Sequence, residues 1–373
     1  MKALILLAVG FHVSVIDSLP LGAKNCASAT NCVDCSGTSD SNCGWCVRDE
    51  KCYNLESTSG PCMSPMLMRN QSDCNRTSFI PYDQDFALRM FNFSAAAYSN
   101  KPEICLGNIE NGDFKLIKSI KVKMDFGTDS DFAYVAASNN QKIIVLAFRG
   151  TDSPLELMIE IARDIFPRKK YPFGGKVTTY FYNIFKALWP AVENAVNSVL
   201  LTQDSEEWEF WVTGHSLGGA LASLATIQLA GDGRVGGDRL KLLTFGAPRV
   251  GNWDFARQHD RLVPHNWRLT HYLDIVPHLP FCYGTHGCHQ GKEHPWLAYH
   301  SGLEIFYPEK DMNPSHNLTH KVCTGQPVDE DESCSNGLVH KDSCPLHMVQ
   351  CVEAHLTYFN LHQSDYGESG CKK

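Results

Sequence analysis

Several things are missing from this chain of 373 residues, and each absence removes a class of function. There is no concentrated basic face: 33 Lys and Arg stand against 41 Asp and Glu, the net charge is −8, and the basic residues are scattered. Nucleic-acid binding needs clustered positive charge, so that class is excluded. Beyond the first residues no apolar run approaches the roughly 20 residues that span a bilayer. There is no internal repeat and no low-complexity linker. What remains is a chain that is 43% hydrophobic, enough for one large domain with a sizeable core plus a small one.

Lys2 followed by the short apolar stretch from Ala3 to Ile16 reads as a signal peptide over residues 1–20, with cleavage expected between Ser18 and Ala23. The mature chain is then expected to be secreted, soluble and extracellular. The 16 cysteines suit an oxidising compartment, where disulfides rather than metal sites form. Sequons at Asn70, Asn75, Asn92 and Asn317 are candidate glycan sites there. Half of the cysteines (Cys26, Cys32, Cys35, Cys43, Cys46, Cys52, Cys62 and Cys74) crowd into a segment with few apolar residues, which bridges must hold together. Their spacing, centred on Cys43-Gly44-Trp45-Cys46, resembles a PSI-type (plexin-semaphorin-integrin) module over residues 24–76. Such a module implies a protein partner that the sequence does not name.

From residue 80 to 373 apolar runs alternate with helical stretches. Strands are predicted at Phe132–Ala137, Lys142–Phe148, Trp208–Thr213, Leu240–Phe245, Arg268–Leu273 and Gly302–Tyr307. Helices are predicted at Asp83–Ser99, Pro154–Phe166, Val177–Leu201 and Leu217–Ala230. Strands spaced by helices imply an α/β class with helices on both faces of one sheet. The acidic run Asp329-Glu330-Asp331-Glu332 reads as a solvated loop.

The most informative stretch is Gly214-His215-Ser216-Leu217-Gly218. It lies between an apolar strand and a helix of small residues, the context of a nucleophile elbow. There a strained turn exposes a serine hydroxyl and aims the first helical amides at a reacting carbonyl. A serine hydroxyl needs a histidine base and an acid to orient it. Asp274, after a strand, is the candidate acid, with Asp254 and Asp260 as competitors on position alone. For the base, position leaves His278, His286, His289, His294, His300, His340, His347, His355 and His362 open.

Five separated segments, in order, resemble the fungal-type (class 3) lipase family: Val145–Thr151, Val212–Ala220, Leu243–Gly251, Asp274–Pro280 and Ala354–Phe359. The resemblance implies an α/β-hydrolase fold with a mixed, mostly parallel sheet. It implies Ser216 as nucleophile, Asp274 as acid, His355 as base, and the amides of Thr151 and Leu217 as the oxyanion hole. It implies pairing of Cys105 with Cys371 and of Cys323 with Cys334, leaving Cys282–Cys288 and Cys344–Cys351 by elimination. The family's His-x-Gly-Phe run reads Thr178-Thr179-Tyr180-Phe181 here, so Tyr180 takes the place of a small residue. The stretch after Asp274 is rich in Cys and His, and disulfides and surface histidines are expected there rather than a metal.

The segment after Thr151 has its own logic. Ser153-Pro154-Leu155-Glu156 carries an N-cap, a first-turn proline and a capping-box glutamate. Leu155, Met158, Ile159, Ala162, Ile165 and Phe166 would then share one apolar face. In class 3 lipases the matching segment is a lid that opens at lipid, since an exposed apolar face needs an interface to meet. The expectation is therefore a secreted serine ester hydrolase without metal or organic cofactor, a triacylglycerol lipase acting at interfaces. Phospholipase A1 or short-chain or aromatic esterase activity is the nearest alternative, and an inert secreted binding protein the distant one.

Overall fold

The computed structural model describes residues 26–36, 42–46, 51–54, 67–68, 82–123, 130–151, 161, 166–202, 207–281, 294–315, 318–323, 329–339, 344 and 347–372. The signal-peptide reading at residues 1–20 lies outside them. So do Cys62, Cys74, Cys282, Cys288, Asn70, Asn75 and Asn317.

Among the described residues the main body is built on eight strands: β1 (Lys115–Lys123), β2 (Ser130–Ser138), β3 (Ile143–Phe148), β4 (Glu209–His215), β5 (Leu240–Phe245), β6 (His265–His271), β7 (Leu303–Tyr307) and β8 (Lys321–Val322). They lie side by side in chain order. Strands β3 to β7 run parallel, while β1, β2 and β8 pair antiparallel at the edges. Central parallel strands are covered on both faces, and although the fully buried β6 carries His265, Asn266, Arg268, Thr270 and His271, that cover favours near-continuous apolar runs. Strand β3 shows how: Ile144, Leu146 and Phe148 enter one core, and Ile143, Val145 and Ala147 enter the other.

Helices α1 (Gln84–Ala96), α2 (Pro102–Asn108), α3 (Thr179–Thr202), α4 (Leu217–Gly231), α5 (Trp253–Leu262), α6 (Met348–Leu356) and α7 (Gln363–Glu368) clothe the sheet. Helices α3, α4 and α5 contribute Phe181, Leu221 and Phe255 to the first core, and α1 and α7 contribute Phe91 and Tyr366 to the second. Helix α4 is buried almost throughout, which its run of Ala, Leu and Gly permits on all sides. Asn252 caps α5 by accepting from the Phe255 amide at 3.2 Å.

A disulfide joins Cys105 in α2 to Cys371 after α7, across 266 residues. In the chain-entropy view such a long closure restrains the unfolded chain most. Others join Cys323 to Cys334 and Cys344 to Cys351. In the N-terminal region Cys26 pairs with Cys43 and Cys35 with Cys52, around a three-stranded sheet containing Cys43–Cys46.

The acidic run corrects the sequence reading. Asp329, Glu330 and Asp331 are buried, and only Glu332 is exposed. Their partners are arginines remote in sequence. Glu330 takes Arg249 bidentately, at 2.9 Å to Oε1 and 2.7 Å to Oε2. It also accepts from the His300 amide and from Asn336 Nδ2, each at 3.0 Å. Asp329 pairs with Arg257, and its carbonyl accepts from Arg268 at 2.9 Å. Burial opposes the charge on Glu330, but Arg249 outweighs it and holds the carboxyl below its usual range. Removing one partner of a buried pair strands the other charge. Glu330→Ala should therefore destabilise the fold by about 3–5 kcal/mol in chemical denaturation; a loss under about 1 kcal/mol would refute a structural role for the pair.

Three fully buried histidines make acid stability a second test. Burial pushes His215 down to about 3, and His259 and His278 to about 4. The unfolded chain takes up these protons near pH 6.5 and the folded chain does not, so their contribution is present at neutral pH and shrinks as pH falls below 6.5. One pKa unit corresponds to about 1.4 kcal/mol. Melting temperature should thus drop steeply from pH 6.5 to 4, and a flat profile over that window would contradict the buried neutral state.

Candidate active site

Strand β4 ends at His215, and Ser216 turns directly into α4. Ser216 has φ 60° and ψ −129°, a conformation costly for a side-chain-bearing residue. The turn closes because its flanks are glycines: a Cβ on Gly214 would collide with Gly218, and one on Gly218 with the Phe148 carbonyl. The Ser216 amide donates to Phe245 O at 2.9 Å, tying the bend to β5. The first helical bonds come from Gly219 and Ala220 to Ser216 O, so the Leu217 amide precedes any helical acceptor. Thr151 follows Gly150, where an added Cβ would lie 3.1 Å from Ser216 Cβ. Gly150, next to Thr151, therefore passes beside the serine.

Asp274 and His355 meet from opposite ends of the sequence. Asp274 follows β6, and His355 is in the last turn of α6. His355 Nδ1 bonds Asp274 Oδ1 at 2.9 Å, with both side chains buried. The same oxygen accepts from the Val276 amide at 3.0 Å, and Oδ2 accepts from Tyr358 Oη at 2.8 Å. Burial pushes the Asp274 carboxyl upward, but the His355 charge and these hydrogen bonds together bring it below its usual range. Burial, with Asp274 beside it, raises Tyr358 far above an ordinary tyrosine, so its hydroxyl stays a donor. A carboxylate held ionised against Nδ1 leaves Nε2 to accept a proton. His355 Nε2 and Ser216 Oγ are both buried and neither has a hydrogen-bond partner among the described residues.

The other sequence candidates go elsewhere. Asp254 is exposed in the first turn of α5. Asp260 pairs with Arg257 at 2.9 Å and accepts from the Gly302 amide at 2.7 Å. His278 Nδ1 faces Asn336 at 3.0 Å, and His300 Nε2 donates to Pro277 O at 2.7 Å. His294 and His362 are half-buried and His347 exposed, while His286, His289 and His340 lie outside the described residues. Of the lid face, Leu155, Met158, Ile159, Ala162 and Ile165 also lie outside; Phe166 is half-buried. Tyr180 is in the first turn of α3, its ring 5.7 Å from that of Phe181. Asn92 is half-buried in α1, accepting from Tyr366 at 3.1 Å, and its sequon partner Ser94 is fully buried.

Sequence reasoning singled out neither Tyr358 nor Gly246. Tyr358 is three residues past His355, a position that packing alone also explains. Gly246 has φ 55°, and a Cβ there would approach Asp274 Oδ2 to 2.5 Å and His355 Nδ1 to 2.9 Å.

Comparisons with known proteins identify the family. The family model for Lipase (class 3) matches residues 145–284. Lipase ZK262.3 of Caenorhabditis elegans is 33% identical over 309 residues, covering 78% of this chain and 83% of that protein. A secreted mono- and diacylglycerol lipase 1 of Fusarium solani is 32% identical over 273 residues, 72% of this chain and 71% of that one. The solved structure of lipase II from Rhizopus niveus superposes with a TM-score of 0.57 at 26% identity, over 78% of this chain and 96% of that chain. The chain spans about half the length of the Rhizopus lipase sequences it matches. The fold is that of the α/β hydrolases, and the class is carboxylic ester hydrolase. Within it, the chain belongs to the class 3 lipase family.

Gly246→Ala tests the packing against the Asp274–His355 pair. Its positive φ should cost about 1–2 kcal/mol of stability. Ester hydrolysis should fall at least about 100-fold, since small displacements of reacting groups have that effect. A folded variant with unchanged turnover would contradict the arrangement.

Proposed function

We propose that the protein is a secreted triacylglycerol lipase working through an acyl-enzyme. Ser216 attacks the ester carbonyl, and His355 takes the serine proton and later returns it to the leaving alcohol. Asp274 holds the imidazole in the tautomer with its proton on Nδ1. The oxyanion rests on the amides of Thr151 and Leu217, and losing one such donor costs about 3 kcal/mol in kcat. The 155–166 segment serves as the lid, and residues 24–76 form a separate PSI-like module that takes a protein partner.

One observation carries the reading. Two buried polar atoms without partners, Ser216 Oγ and His355 Nε2, are the pair that the mechanism joins. Other buried atoms among the described residues, Thr244 Oγ1 and His278 Nε2 among them, also lack partners, so what distinguishes this pair is the Asp274 carboxylate on the other nitrogen of the His355 ring, which leaves Nε2 as the atom that takes a proton. A second substrate reading has a specific motive: the Fusarium solani relative is named a mono- and diacylglycerol lipase. A panel of tri-, di- and monoglycerides, phospholipids and short soluble esters, each with and without an interface, separates these.

Ser216→Ala and His355→Ala should each abolish ester hydrolysis and labelling by a fluorophosphonate, with similar losses because such residues act as a unit. Labelling of Ser216→Ala at the wild-type rate would remove Ser216 from the chemistry.

A further inference from the structure

The end of α6 poses a problem that two other histidines solve. The Thr357 amide closes the last helical bond, to Glu353 O. The carbonyls of Ala354 and His355 lie beyond the helix's own donors. His215 Nε2 lies 2.8 Å from His355 O, and His271 Nδ1 lies 3.1 Å from Ala354 O. Both rings are buried, at 1% and 2% exposure. The His215 ring also stacks on that of His355, with centroids 4.5 Å apart.

A carbonyl oxygen only accepts, so the His215 contact requires a proton on Nε2. Burial and the neighbouring His355 keep His215 neutral, with its pKa down at about 3. Its Nδ1 is then bare and accepts from Tyr98 Oη at 2.7 Å. Tyr98, donating to the bare Nδ1, supports the tautomer that lets His215 hold the His355 backbone. His271 meets carbonyls on both sides, since its Nε2 faces Glu309 O at 3.2 Å and Lys310 O at 3.3 Å. A proton on its Nδ1 makes the Ala354 contact attractive, and a proton on Nε2 does the same for Glu309 O and Lys310 O, so all three contacts together call for both nitrogens protonated.

We propose that His215, His271 and Tyr98 are positioning residues that clamp the last carbonyls of α6 and so fix the imidazole of His355 against Asp274. This rests on the reading of His355 as the base. None of the three acts on substrate; they set where the base stands.

Nitrogen-15 NMR of histidine-labelled wild-type protein reads the tautomers directly. His215 should carry its proton on Nε2 with Nδ1 bare from pH 5 to 9, and His271 should carry a proton on Nδ1. The opposite tautomer of His215, or a bare Nδ1 on His271, overturns the clamp. Variants give a second readout. His215→Leu and His271→Leu should lose about 10- to 100-fold in kcat and in fluorophosphonate labelling rate, with KM within about twofold. His215→Gln places an amide donor near the Nε2 position and His271→Asn near the Nδ1 position, and both should recover most of the loss. Leucine variants with wild-type kcat, or conservative variants as impaired as leucine, overturn the proposal. Where a leucine variant does not fold, the NMR and the conservative variants decide. His355→Ala serves as the control: if it labels at the wild-type rate, the base assignment fails. If it is inactive while a folded His215→Leu is normal, only the clamp fails.

Discussion

Everything at this site depends on the bend at Ser216. A residue with φ 60° is held there because strand β4, helix α4 and the β3 carbonyl at Phe148 leave no room for anything but glycine on either side. The strain is borne by a sheet whose central strands are buried on both faces. It places a hydroxyl at the rim of the sheet and the start of a helix beside it. Local backbone cost is exchanged for a fixed location of that hydroxyl.

Around that bend several buried polar groups answer one another. Asp274 receives His355, Val276 and Tyr358. Arg249, whose amide donates to Leu279 O at 2.8 Å and whose guanidinium reaches Pro280 O at 3.0 Å, ties the loop after Asp274 to Glu330. The loop bearing the acid is thereby braced from beyond its far end by an ion pair that touches no reacting group. Such networks rigidify the groups they join, and Ser216 Oγ and His355 Nε2 stand outside these bonds among the described residues.

Much of this was legible in the chain. A central strand such as Ile143–Phe148 announces itself because cover on both faces favours an unbroken apolar run, whereas β6, with buried His265, Asn266, Arg268, Thr270 and His271, carries a weaker signal. Edge strand β1 was missed: its lysines and the register shift between Leu116 and Lys118 break the alternation that marks a strand. Asp274 and His355 could be paired only through the resemblance, because 81 residues separate them and position alone left nine histidines open. The burial of Asp329–Asp331 was unreadable for the same reason. Four consecutive acids look solvated until Arg249, Arg257 and Arg268 are folded against them. Residues whose role is to hold another residue, such as His215, Tyr98 and Gly246, carry no local signature; their meaning is entirely tertiary.

The most direct measurement is the crystal structure of the protein after reaction with an alkyl phosphonate. The account predicts phosphorus bonded to Ser216 Oγ, its phosphoryl oxygen within hydrogen-bond distance of the Thr151 and Leu217 amides, and His355 Nε2 facing the oxygen that bears the phosphorus. Phosphorus on another residue, or a phosphoryl oxygen turned away from both amides with His355 elsewhere, would contradict it.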